Sequence, residues 1–164
     1  MITTYIGVGS NIERHRHIEE AVRELSKLGG DLRLSTIYEC DAVGFESEPF
    51  YNLVVEMKTS IDLLSFSERL REIEIRWGRA IDAGKYEPRT LDLDIIFFGR
   101  EVSESHPELP RSDIYKYAFV LQPLLELCPN YVVPKDGRTV EQIWQQLNLD
   151  TLMLPVPSWF YLNF

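Results

Sequence analysis

The run Leu91-Asp92-Leu93-Asp94-Ile95-Ile96-Phe97-Phe98, closed by Gly99, constrains the fold more than any other stretch. Its isoleucines and phenylalanines predict a buried strand. Side chains alternate along a strand, so Asp92 and Asp94 share a face. Two like charges on one face of an apolar strand repel and resist leaving water. Something positive must sit with them: Arg79 or Arg89 nearby, or a divalent cation. Oxygen-only ligands favour Mg²⁺, which takes one or two carboxylates and completes its shell with water and phosphate oxygens.

With 164 residues, the chain reads as a single domain, 1–164, long enough to bury a core. The formal net charge of −9 argues against a duplex nucleic-acid binder, which carries a basic patch. It does not argue against a nucleotide substrate. Cys40 and Cys128 lie far apart, so no disulfide framework is expected and a reducing compartment fits. The N-terminus enters a strand at once, without a basic region followed by an apolar run, so no signal peptide is expected. No apolar run approaches the ~18–20 residues of a membrane span. The expected setting is the cytoplasm, without membrane or nucleic-acid partners, as a monomer or weak homo-oligomer.

Along the chain, Thr3–Val8 predicts a strand, and Ser10 or Asn11 a helix cap. The helix carries Ile18, Ala21, Val22, Leu25 and Leu28 on one face and stops at Gly29-Gly30. His15 and His17 read as solvated surface residues rather than metal ligands. Leu32–Glu39 predicts one strand and Phe50–Thr59 another, joined by a loop of roughly ten residues, long enough to be functional. Asn52 interrupts the apolar run Phe50–Val55. It is either an edge or turn residue satisfying backbone groups, or an amide that reads a heterocycle. Asp62–Trp77 predicts a helix with Leu63, Phe66, Leu70, Ile73 and Trp77 inward, and most of its charged residues, Glu74 among them, on a solvated face. Beyond Gly99 the expectation is a long loop over Ser103–Asp113, partial helix over Tyr117–Leu127 with Pro123 near a start or break, a short strand at Tyr131–Val133, and a helix over Thr139–Leu147. Leu152–Phe164 has no assignment. The order β-α-β-β-α-β gives an α+β, ferredoxin-like core; C-terminal additions on the other face would make three layers, α/β/α.

Arg79, Arg89, Asp92 and Asp94 together suit phosphoryl transfer, with arginines offsetting charge and carboxylates gathering metal. The bland alternative is a structural network of aspartates satisfied by Arg89 and backbone amides. The longer string Pro88-Arg89-Thr90-Leu91-Asp92-Leu93-Asp94, with Arg79 ten residues before Arg89, resembles the signature of the 6-hydroxymethyl-7,8-dihydropterin pyrophosphokinase family. Tyr5-Ile6-Gly7-Val8-Gly9-Ser10-Asn11, Ser35–Glu39, Phe50-Tyr51-Asn52 and Phe119–Leu124 are similar to further family segments.

The resemblance implies transfer of the β,γ-pyrophosphoryl group of ATP to the pterin hydroxymethyl oxygen, with release of AMP. It implies that Asp92 and Asp94 hold two Mg²⁺ ions, and that Asp92 helps orient or deprotonate the hydroxyl. Arg79 and Arg89 would follow the phosphates during transfer. Asn52 would read the pterin edge, Phe50 and Phe119 would sandwich the ring, and backbone near Asp41 and Val43 would complete its pocket. Arg71, Glu74 and Ile95 fall where the family lines the nucleotide site. Arg111 is counted with them, because Pro110-Arg111 stands where the family often has Pro-His. Other departures are Glu87 for a glycine, Ile81 for a second arginine, Tyr117 for a basic residue, and Cys40-Asp41 for Thr-Pro. They leave two alternatives open: a non-catalytic paralogue that binds pterin or nucleotide, and an unrelated ferredoxin-like phosphohydrolase with an Asp-x-Asp metal site.

Overall fold

Two long apolar strands form the centre of the molecule. In a computed structural model that describes residues 1–41, 48–78, 91–149 and 153–162, β1 (Ile2–Ser10) pairs antiparallel with β4 (Phe50–Thr59), from Ile2 opposite Thr59 to Ser10 opposite Tyr51. On the other side of β1 lies β5 (Asp92–Phe98), also antiparallel. Beyond β4 come β3 (Ile37–Cys40) and β6 (Leu154–Val156), giving the order β5-β1-β4-β3-β6; β2 (Gly30–Leu34) also pairs with β4. Four α-helices accompany this sheet among the described residues: α1 (Arg14–Ser26), α2 (Leu63–Arg76), α3 (Ala118–Leu127) and α4 (Val140–Gln146).

The helices divide between the two faces. Ile18, Ala21, Val22 and Leu25 of α1 and Phe66, Leu70 and Ile73 of α2 pack with Ile6, Val8, Leu53, Val55, Leu93 and Ile95 of the sheet. On the opposite face α3 and α4 bring Leu121, Leu124, Val140 and Ile143 against Tyr5, Val54, Ile96 and Phe97. A bulge makes this division possible. Tyr5 faces Phe97 while Ile6 faces Ile95, so Ile96 is an extra residue and the alternation of β5 slips by one. Ile96 and Phe97 therefore serve the same face, and Phe98 returns to the other.

Several elements differ from the sequence expectations. The strand read over Leu32–Glu39 is two strands, because at the break the amide of Ser35 donates to Val54 O (3.0 Å) and its hydroxyl accepts from Val54 N (2.9 Å). α1 begins at Arg14, after Glu13 in the left-handed region (φ 42°), so neither Ser10 nor Asn11 caps it; Ser10 still belongs to β1. α1 also stops before the two glycines: Gly29 is needed instead where a Cβ would lie 2.0 Å from the carbonyl oxygen of Lys58. His17 is not a surface residue. It is 5 % exposed, with Nδ1 2.6 Å from Ile12 O and its ring against Trp77, while His15 is exposed as expected. Pro123 lies inside α3 rather than at its end. An internal proline costs about 3 kcal/mol or more, but Leu121, Leu124 and Leu127 are buried beside it, at roughly 1.5–3 kcal/mol each. Tyr131–Val133 makes only a single bridge, Val132 to Thr139, and the capping box of Thr139 and Gln142 starts α4. The unassigned tail supplies β6. Cys40 and Cys128 are free and buried, and no described helix is long and apolar enough to cross a membrane.

Candidate active site

The sheet register sets three strands side by side at the polar end of the α3/α4 face. Asn52 lies opposite Gly9, and Gly9 opposite Asp92; one step along, Val54, Gly7 and Asp94 form the next row. Residues opposite one another share a face. Asn52 and Asp92 thus stand two strand spacings apart, about 10 Å, with no side chain between them. Gly7 and Gly9 make the floor of a cleft that is open to solvent. Its walls are Asn52, Asp92, Asp94 and Ile96, and Phe119 and Val120 of α3 cover it with Arg111 and Asp113 at the rim. The floor has no spare room on the Asn52 side: a Cβ on Gly9 would lie 2.8 Å from Asn52 Oδ1 and 3.6 Å from the Phe50 ring.

The outer edge of β5 is dressed by polar groups that also shape the electrostatics. Arg111 N donates to Ile96 O (3.1 Å), which brings its guanidinium beside the strand. There Arg111 Nε donates to Asp113 (2.9 Å), and Nη2 lies 3.7 Å from Asp94 Oδ1. From the α2 side, Glu74 accepts the amide of Leu93 (2.8 Å) and is 4 % exposed. The carboxyl of Asp94 is pushed well above the ordinary carboxylate range. Burial is the main cause, the charge of Asp92 comes next, Arg111 opposes it, and Glu74 and Asp113 add to it. Among the described residues, the carboxyl groups of Asp92, Asp94, Asp113 and Glu74 outnumber the one arginine beside them, Arg111, which suits a cation. Among the described residues no set of three or more His, Cys, Asp or Glu converges as a metal cage. Two carboxylates without a third fit Mg²⁺, which is held by few protein oxygens and takes the rest from phosphates and water.

The structure therefore gathers Asn52, Phe119, Asp92, Asp94 and Arg111 around one cleft, with Phe50 beside Gly9 at its margin. Asn52 is no turn residue; it sits within β4, between Gly9 and Tyr38 of the neighbouring strands. Phe119 presents a ring already stacked on Tyr117, with centroids 4.9 Å apart and planes 19° apart. Asp41 is exposed just past β3 and does not line the cleft. Arg71 is half-buried on α2. The side chain of Ile95 lies in the α1/α2 core at 4 % exposure, so it plays no part in the cleft. Glu74, expected on a solvated face, is buried because it serves the Leu93 amide. Val43, Arg79 and Arg89 lie outside the described residues. Sequence reasoning missed the roles of Gly7, Gly9 and Asp113. The signal for the first two was present: glycines two apart in a strand, matching aspartates two apart in another.

Comparison with known proteins shows which family the chain belongs to. Residues 5–129 match the family model for 7,8-dihydro-6-hydroxymethylpterin-pyrophosphokinase (HPPK). The chain is 36 % identical over 153 residues to the 2-amino-4-hydroxy-6-hydroxymethyldihydropteridine pyrophosphokinase of Bacillus subtilis, covering 87 % of this chain and 90 % of that one. It is 34 % identical over 142 residues to the enzyme of the same name from Aquifex aeolicus, covering 82 % and 85 %. Its fold is similar to a crystal structure of Plasmodium falciparum HPPK-DHPS with pterin and p-hydroxybenzoate (TM-score 0.69, 15 % identity); the match covers 88 % of this chain but 43 % of that longer one. The chain belongs to the 7,8-dihydro-6-hydroxymethylpterin-pyrophosphokinase family, whose chemistry is pyrophosphate transfer in folate biosynthesis.

Proposed function

We propose that this protein transfers the pyrophosphoryl group of ATP to 6-hydroxymethyl-7,8-dihydropterin, giving the pterin diphosphate and AMP. One observation carries this reading: a glycine-floored slot with an amide on one wall and a pair of carboxylates on the other. A flat heterocycle lies over glycine backbone that offers no side chain to obstruct it, and the aromatic ring of Phe119 covers it. Asn52 pairs its donor and acceptor with the pterin edge, and Phe50 completes the stack from the other side. The family resemblance further assigns the backbone near Asp41 and Val43 to closing the pocket over bound pterin, although Asp41 stands outside the cleft without it.

At the far wall Asp92 and Asp94 would hold, together with ATP, two Mg²⁺ ions, which would supply positive charge to offset that of the transferring phosphates. Asp92, in the same row as Asn52, orients the pterin hydroxyl and receives its proton as the oxygen bonds to the β-phosphorus. The bond from that phosphorus to the α-phosphate's bridging oxygen breaks, and AMP leaves. Arg79, Arg89 and Arg111 accompany the phosphates, while Arg71, Glu74 and the backbone of Ile95 line the nucleotide. We read residues 1–164 as a single domain acting as a monomer or weak homo-oligomer in the cytoplasm. The strand order supports a ferredoxin-like core, with β2 and β3 sharing one strand's place and α3 and α4 as a third layer.

The test is product analysis with ATP and Mg²⁺, with and without the pterin. The expected result is AMP and pterin diphosphate in equal amounts, only when pterin is present. Inorganic phosphate released without pterin would point to a phosphohydrolase instead.

A further inference from the structure

Tyr51 sits between the cleft residues Phe50 and Asn52 on β4 and points to the opposite face, where it is 6 % exposed. Its ring is held from three directions. The Arg14 guanidinium carbon lies 4.0 Å from its centroid, the His15 ring 5.3 Å and the Trp159 ring 5.9 Å. Arg14 Nη1 also donates to Glu39 Oε2 on β3 (2.9 Å) and to Pro49 O just before β4 (3.1 Å). Trp159 comes from the C-terminal tail, beyond the residues that match the family model. Its ring centroid lies 4.3 Å from that of His15, and Nε1 donates to His15 O (3.2 Å). β6, just before it in the chain, pairs with Ile37, Tyr38 and Glu39. Asn11 Nδ2 adds a bond to Glu48 O (3.4 Å).

An exposed arginine–carboxylate pair by itself contributes little. Here one guanidinium, only 24 % exposed, ties β3, the entry to β4 and the Tyr51 ring to the first turn of α1. The tail then locks that turn against the same ring. We propose that Arg14 and Trp159 are positioning residues for the pterin end of the cleft: from the back of the sheet they fix Phe50–Asn52 and so set affinity for the flat heterocycle. This rests on the assignment of Asn52 to the pterin. Neither residue touches the substrate; both act through Tyr51 and the backbone on either side of it. The carboxylate wall on β5 receives none of these contacts, so the two ends of the cleft are separable.

The experiment uses the full chain with Arg14→Ala, Trp159→Ala and the conservative Trp159→Phe. Pterin affinity is measured with a non-hydrolysable ATP analogue present, the affinity of that analogue alone is measured separately, and amide hydrogen exchange is followed over residues 50–53. The two alanine variants are expected to weaken pterin binding roughly tenfold, as small misplacements of binding groups do. They should speed exchange over 50–53, leave β1 and β5 protected and leave analogue affinity unchanged; Trp159→Phe should keep most of the pterin affinity. Unchanged exchange over 50–53 would overturn the proposal. So would a parallel loss of analogue affinity and thermal midpoint, which marks a merely structural role. Failure of the wild-type protein to bind pterin would overturn the pterin assignment and this affinity role with it. In that case the exchange arm separately decides whether Arg14 and Trp159 hold the β4 segment.

Discussion

The two faces of this sheet are made by the same three strands to opposite ends. Towards α1 and α2, β1 turns Ile6 and Val8, β4 turns Leu53, Val55 and Met57, and β5 turns Leu93 and Ile95; all are buried. Towards α3 the neighbouring positions are Gly7 and Gly9, Asn52, and Asp92 and Asp94. Every one of the latter is a poor strand residue by propensity. The apolar face stabilises the strands, and the other face is thereby free to leave a slot and to crowd two carboxylates. A strand of period two can serve both ends at once because, away from the bulge at Ile96, neighbouring residues point to opposite faces. The floor and both walls of the site are precise, since they stand on paired strands of the sheet.

The division can be broken from either side. Asp92→Ala should lower pyrophosphate transfer at least roughly 10³-fold, the scale of losing preorganised charge stabilisation, with no loss of thermal stability; steady-state rates and a melting curve check both. Phe66→Ala, on the other face against Phe98, should do the reverse. It should cost about 3–5 kcal/mol in denaturant unfolding, with the rate per folded molecule kept. Gly9→Ala probes the floor itself. The new methyl must displace the Asn52 amide, so calorimetry should show pterin affinity down about tenfold, the scale of one lost binding contact, with stability little changed. The smallest effect is on pH. The folded-state pKa of Asp94 is raised, so the folded, metal-free protein holds a proton that the unfolded chain has released. Stability is then fully present below the ordinary carboxylate pKa of 3.8 and falls as pH rises through the raised value. Mg²⁺ must displace that proton, so its affinity with an ATP analogue should increase with pH over the same window, and Asp94→Asn should flatten the stability slope.

The sequence was most legible where one physical signal dominated. Phe50–Thr59 forms a strand with the bounds expected, and Asp62 caps a helix that buries Phe66, Leu70 and Ile73 as their spacing requires. The aspartates on β5 share a face, as their spacing implied, and that face lines the cleft. Legibility ended where tertiary contact overrode local preference. His17 is buried because the chain turns to bring Ile12 O to its ring. Glu74 leaves solvent for an amide on a distant strand. Leu154-Pro155-Val156 lacks strand propensity at its proline and pairs only because β3 offers an edge. Arg111 reaches Asp94 through a backbone bond to Ile96 that no local pattern encodes.

The most direct test of the two-faced sheet is one variant measured two ways: thermal unfolding and pterin-dependent AMP release of Asp94→Asn at neutral pH. The expected result is a midpoint at or above that of the wild type, because a carboxylate disfavoured by its surroundings has gone, together with near-complete loss of AMP formation. A lowered midpoint with AMP release intact would contradict it, showing Asp94 to be a structural partner of Arg111 rather than part of the reacting site.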